Sequence, residues 1–293
     1  MSLCLIVLLT LTPTQQPIPQ ILNATAGEYS LEFYEGLEGP LFEQAQQLYL
    51  EGRYEEASGA FLRLYETTSH PVALFLAGNG LYKLDRVDQA IAHYKRAVGE
   101  GLQMMPDVHY NLANAYYARY MKVEAIAEFR EVLALTGDTD AMAHYHLGIL
   151  LDGEGEHAES IEHYRKTVEL TDDGEPMARQ HLGVAHFMNG AYEDSARELE
   201  IYIGMVPDDP GGYLNLGIAL RYVGKLNQAV EQLHRALVES DDQLPAAHYQ
   251  LALIHAGRKE HELSMKHFED AIRQGHTSPK IQQEYQAVKR KVP

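Results

Sequence analysis

A pattern of about 35 residues recurs through most of this 293-residue chain, and a chain built that way folds as a stack of like units rather than around one irregular core. Leu112-Ala113, Leu147-Gly148, Leu182-Gly183, Leu216-Gly217 and Leu251-Ala252 follow one another at intervals of 35, 35, 34 and 35 residues. Twelve residues after the second member of each pair stands another small side chain: Ala125, Ser160, Ser195, Ala229 and Ser264, a column that extends backward to Ala90 and Ala57. Four residues beyond each comes a bulky one: Phe61, Tyr94, Phe129, Tyr164, Leu199, Leu233 and Phe268. Closely crossing helices need that alternation. The small residue lets the neighbour approach, and the large one a turn away fills the gap beside it.

Punctuation follows the same period. Pro71, Pro106, Pro176, Pro210 and Pro245 stand near the starts of units, where a helix tolerates proline because its first amides have no partner within the helix. Asp209-Pro210 has the form of an N-cap followed by a first helical residue. Turn residues such as Glu51-Gly52, Gly153-Glu154-Gly155, Asn189-Gly190 and Gly224-Lys225 separate the two columns. Each unit is therefore helix A, a short turn and helix B.

The columns resemble the tetratricopeptide repeat, with its pattern W-x₂-L-G-x₂-Y, then A-x₃-F, then P. The stretch Tyr213-Leu214-Asn215-Leu216-Gly217-Ile218-Ala219-Leu220 is similar to the first half, and Ala229, Leu233 and Ala236 to the second. There is no Trp; the first aromatic column holds Leu41, Leu74, His109, His144, Arg179, Tyr213 and His248, and the closing proline is clear only at Pro207. The resemblance implies an all-α, right-handed superhelical solenoid of about seven helix-turn-helix repeats: 38–70, 71–105, 106–140, 141–175, 176–209, 210–244 and 245–277. Residues 278–293 place Ile281, Tyr285 and Val288 at helical spacing and end in a basic tail, Lys289-Arg290-Lys291. They fit a capping helix over the last core layer.

In such repeats the A helices line a concave groove, with positions five, nine and twelve turned toward it. Carried over, these positions make Phe42, Tyr49, Phe75, Asn79, Tyr82, Tyr110, Asn114, Tyr117 and Tyr145 the candidate peptide-binding residues, while the later repeats offer mostly aliphatic ones. An Asn amide satisfies both an exposed N–H and an exposed C=O of an extended peptide, and tyrosine adds flat apolar area with a polar tip. Asn79 and Asn114 match the asparagines of the family's carboxylate clamp for chaperone tails. Its cations are missing, because Phe75 and Met142 stand where Lys is expected and His146 where Arg is. The implied function is a non-catalytic scaffold that binds a peptide or helical segment of a partner protein. A cytoplasmic adaptor or co-chaperone and a repeat-built enzyme or ligand sensor are the alternatives.

Composition narrows the partners. With 42 acidic and 24 basic residues the formal charge is −18, which argues against a nucleic acid, since a phosphate binder needs a basic face. A single cysteine, Cys4, excludes disulfide frameworks and thiolate-rich metal sites. No phosphate loop, G-x-S-x-G or H-E-x-x-H occurs, so no catalytic residue and no cofactor is assigned. The fifteen histidines lack ligand spacing along any one helix: His144 and His146 are two apart and His181 and His186 five apart. A packed column explains His109, His144 and His248, and no metal site is assigned.

Residues 3–11 are apolar and too short to span a membrane, and Ala24-Thr25-Ala26 offers a small-x-small cleavage site. Residues 1–26 therefore resemble a secretory signal without its basic start, followed by a lead-in over 27–37. This favours export to a periplasm or the exterior over a cytoplasmic location, and a role in envelope assembly, with no membrane span in the mature body.

Overall fold

A computed structural model of the chain describes residues 37, 39–172 and 174–292. The signal-like segment and nearly all of the lead-in lie outside the described residues. Among those residues the chain is helical throughout and contains no strand. It forms two compact units, one ending at Leu150 and the other beginning at Leu151.

The first unit contains α1 (Pro40–Leu50), α2 (Tyr54–Thr68), α3 (Pro71–Lys83), α4 (Val87–Ala97) with a π-helical turn at Val98–Leu102, α5 (Pro106–Ala118), α6 (Lys122–Thr136) and most of α7 (Ala141–Glu154). The second contains α8 (His157–Leu170), α9 (Pro176–Met188), α10 (Tyr192–Met205), α11 (Pro210–Val223), α12 (Leu226–Glu239), α13 (Pro245–Gly257), α14 (His261–Arg273) and α15 (Pro279–Lys289). Within each unit a helix packs chiefly on its neighbours in the chain, and α3 also meets α5, α9 meets α11, and α11 meets α13. That is the nearest-neighbour packing of a solenoid of helix pairs.

Local chemistry sets the ends. Pro40, Pro71, Pro106, Pro176, Pro210, Pro245 and Pro279 are each the first residue of a helix. The Asp209 carboxylate caps α11 by accepting from the Gly211 and Gly212 amides, and the Asp140 carboxylate accepts from Ala143 N–H at the start of α7. Each A-to-B turn passes through one left-handed residue: Gly52, Asp85, Tyr120, Gly155, Gly190, Gly224 and Lys259. The N–H of the next residue then returns to a carbonyl five positions back, as Met121 does to Tyr116 and Lys225 to Leu220.

The two columns form the core. Ala57, Ala90, Ala125, Ser160, Ser195, Ala229 and Ser264 are all fully buried, and the bulky residues four positions on are at most 1% exposed. How close the helices come is clearest at Gly183 and Gly217, where a Cβ would lie 2.7 Å from Leu199 Cγ and Leu233 Cγ respectively. At the C-terminus α15 buries Ile281 and Val288 against Ala252 and Phe268. Its other face, with Lys280, Gln282, Gln283, Gln286 and Lys289, is exposed, so α15 caps the last core layer.

Candidate functional site

The candidate groove residues belong to the first unit, and their three positions have different fates. Position five is core. Phe42 packs on Phe61 at 6.3 Å between ring centroids, Phe75 on Tyr94 at 5.8 Å, and Tyr110 edge-on to Phe129 at 5.4 Å. Each ring ties its A helix to its own B helix, a contact contributing about 0.5–1.5 kcal/mol beyond area burial. Tyr145 is also buried, 5.7 Å from the His146 ring. Phe75 has no exposed surface at all, so it presents nothing to a ligand.

Position twelve is different. Tyr49, Tyr82 and Tyr117 sit at one register of α1, α3 and α5 and stay partly exposed. Tyr49 lies edge-on to Tyr54 at 5.1 Å. Burial, helped by Tyr54, pushes its hydroxyl up to about 12. Burial raises the Tyr82 hydroxyl as well, with Asp85 adding to it, and burial raises that of Tyr117. All three remain protonated donors at neutral pH.

Position nine splits. Asn79 Oδ1 accepts from Tyr94 Oη at 2.8 Å and from Asn111 Nδ2 at 2.9 Å, so this carbonyl joins α3, α4 and α5 and is already used. Asn114 Oδ1 is buried beside the Tyr110 hydroxyl, but neither atom has a partner of hydrogen-bond geometry among the described residues. His146 Nε2, on α7, is a third such atom. The His146 ring stacks on Phe129 at 5.2 Å, and burial pushes its pKa down to about 4. It is therefore a neutral imidazole, and no fixed positive charge stands where the clamp would need one. Unmet buried polar atoms cost about 1–3 kcal/mol each.

Two further groupings are invisible in helix-face spacing. Phe187, Tyr192 and Tyr222 of the second unit form an aromatic cluster with centroids 4.9–5.1 Å apart. The signal for it is an aromatic pair five residues apart across an A-to-B turn, as in Tyr49 and Tyr54. A polar pair also recurs between residues nineteen apart on helices A and B. His109 Nδ1 meets Glu128 Oε2 at 2.6 Å, Arg179 Nη1 donates to Glu198 Oε2 at 2.5 Å, and His248 Nδ1 faces His267 Nδ1 at 3.1 Å. His248 and His267 also come together with Asp270 as a group of metal-ligating side chains. Spacing along a single helix shows only His267 and Asp270, one turn apart on α14, and His248 joins them from α13.

Helix pairs that repeat in register define a helical-repeat scaffold, a fold that supports protein–protein interaction. A sequence profile of the tetratricopeptide repeat matches residues 75–138, 123–175, 145–210 and 214–279. The chain belongs to the tetratricopeptide repeat family. Among solved structures it is similar to the C-terminal part of a TPR repeat-containing protein from Cytophaga hutchinsonii, with TM-score 0.68, 15% identity, and coverage of 83% of this chain and 98% of that one. It is also similar to YrrB, described as a TPR protein with an unusual peptide-binding site, with TM-score 0.60, 21% identity, and coverage of 65% and 97%. PilW, a type IV pilus biogenesis factor, aligns with TM-score 0.57, 15% identity, and coverage of 74% and 97%. Identities this low speak for the fold alone. No curated protein sequence matches the chain. Among the described residues no helix is long and apolar enough to cross a membrane.

Proposed function

We propose that this chain is a non-catalytic scaffold that holds a peptide or helical segment of a partner protein along the A helices of its first unit, and that it acts in a cell envelope after export. The column of Tyr49, Tyr82 and Tyr117 carries this reading. These are partly exposed rings at one register of successive A helices, each with a protonated hydroxyl. Such rings give a ligand flat contact area at little entropic cost, with a donor at the tip. Asn114 on α5 and His146 on α7 carry buried polar atoms without a hydrogen-bond partner. The neutral His146 disfavours a ligand that depends on a terminal carboxylate, and so disfavours the co-chaperone alternative. Resemblance to a pilus biogenesis factor and to a protein with a peptide-binding site is consistent with this reading.

The test places a photo-crosslinking residue at Tyr82 or Tyr117 and, as a control, at Lys95 on α4, in cells making the full chain. One partner crosslinked from the two tyrosine positions and not from Lys95 is the expected result. Tyr82→Ala and Asn114→Ala should each weaken that partner by about 1–2 kcal/mol. Unchanged affinity in both moves the site off this face. Asn79→Ala is not a clean probe, since it strands the Tyr94 hydroxyl and the Asn111 amide. Export is tested separately by intact mass and cell fraction: loss of about 26 residues outside the cytoplasm supports it, and a full-length cytoplasmic chain sinks it.

A further inference from the structure

The A/B polar pair differs in its chemistry from repeat to repeat. In the first unit an imidazole meets a carboxylate, His109 with Glu128, and within the second unit a guanidinium does, Arg179 with Glu198. At the same register of α13 and α14, two imidazoles face each other through their Nδ1 atoms. The α14 residue at this register is a second base, not an acid. Instead, Asp270 stands one turn along α14 from His267, and one ligand atom from each of His248, His267 and Asp270 falls within 4.8 Å of the others.

We propose that His248, His267 and Asp270 bind one divalent transition-metal ion of the zinc class, leaving open coordination positions on the solvent side. The spacing suits such an ion. Nitrogens about 2.0–2.1 Å from a shared zinc lie roughly 3.3 Å apart at a tetrahedral angle and about 2.9 Å apart at a right angle. The observed Nδ1–Nδ1 separation of 3.1 Å falls between these. Two imidazoles and one carboxylate form a donor set of borderline softness, which favours zinc, copper or nickel over magnesium or calcium.

The surroundings orient the ligands. His248 Nε2, on the far side of the ring from the proposed bond, lies 3.1 Å from Asp242 Oδ1 without hydrogen-bond geometry, so this carboxylate acts on the ring by its charge alone. The His255 ring lies parallel to His267 at 5.5 Å and 3°, while the Glu260 carboxylate holds His255 through Nδ1. Arg273 donates to Asp270 Oδ1, which leaves the second carboxylate oxygen for an ion. The group opens into a solvent-facing cavity of about 640 Å³, lined also by His234, Asp241 and Lys266. Ions and water can therefore enter.

The test is calorimetric titration of the untagged full chain with zinc chloride. One saturable site per chain and a higher melting temperature with zinc are expected. Cobalt(II) should give visible d–d bands at the same stoichiometry. His267→Gln and Asp270→Asn should each weaken zinc at least tenfold. His234→Gln removes a cavity residue outside the proposed ligand set, and should leave affinity within about twofold. Helicity is checked for each variant. If His267→Gln loses it, zinc-dependent shifts of the His248 and His267 ring resonances in the unaltered chain decide the matter. Absence of one saturable site, absence of those shifts, or affinity unchanged in folded Asp270→Asn overturns the proposal and leaves a plain imidazole–imidazole hydrogen bond.

Discussion

Two serines of one sequence column show how much a single hydroxyl depends on its surroundings. Ser264 Oγ donates to Ala252 O at 2.8 Å and links α14 to α13. Ser195 Oγ is equally buried but has no partner among the described residues. Ser264→Ala should therefore cost about 1 kcal/mol, whereas Ser195→Ala should be neutral or stabilising by up to about 1 kcal/mol, since it removes an unmet buried group; urea unfolding of the two variants separates these outcomes. His146 gives a pH prediction. Its folded pKa of about 4 lies below the ordinary value of about 6.5, so the unfolded chain takes up a proton first as pH falls. This contribution to stability is intact above about pH 6.5 and is lost as pH drops toward 4. Replacing His146 with Gln should shrink the stability difference between pH 7.5 and 4.5 by about 2 kcal/mol, measured by denaturant unfolding at both values. At this scale the sequence column identified which residues are small, but not which hydroxyl finds an acceptor. That depends on where the facing carbonyl lies, as the contrast between Ser264 and Ser195 shows.

Elements were more legible than the groups they bring together. Small and large columns twelve and sixteen residues after the Leu-Gly or Leu-Ala pair require helix A to cross helix B closely, and Gly217 does lie where a Cβ would be 2.7 Å from Leu233 Cγ. Gly217→Ala should cost about 1–3 kcal/mol for that reason, read as a lower urea midpoint with an unchanged slope. The turns were only partly legible. Gly52, Gly155, Gly190 and Gly224 announce a left-handed residue, but Asp85, Tyr120 and Lys259 take the same conformation with φ of 60°, 59° and 63° and carry no such mark. Tyr120 is exposed and Lys259 lies in a turn at the surface. Tyr120→Gly and Lys259→Gly should each raise stability by about 0.5–1 kcal/mol by removing left-handed strain, seen as a higher midpoint in thermal unfolding. For the candidate groove, family register named the right helices but could not separate Phe75, which is spent on Tyr94, from Tyr82, which stays partly exposed. That separation depends on which face the neighbouring helix covers. The pairing of His248 with His267 was hidden for a simpler reason: residues nineteen apart meet only after two helices have packed.

For the molecule as a whole, 42 acidic groups against 24 basic ones leave a surplus of negative charge that the observed ion pairs do not cancel. Self-repulsion of that kind is screened by salt. Raising sodium chloride from low millimolar to 0.5 M should lift the melting temperature by about 2–4 °C, and a fall would mean that the surface pairs outweigh the surplus. The left-handed turns have a consequence for descent as well as for stability. Each closes its backbone through bonds reaching three and five residues back, such as Tyr120 to Tyr117 and Met121 to Tyr116, while the turn side chains Arg86, Arg119 and Arg258 reach Glu55, Asp88 and Asn227 of the repeat before. A gene that gains or loses one whole period therefore leaves the backbone closure of every remaining joint intact. Lineages of such a chain can differ in the number of their repeats while each surviving hinge keeps its form.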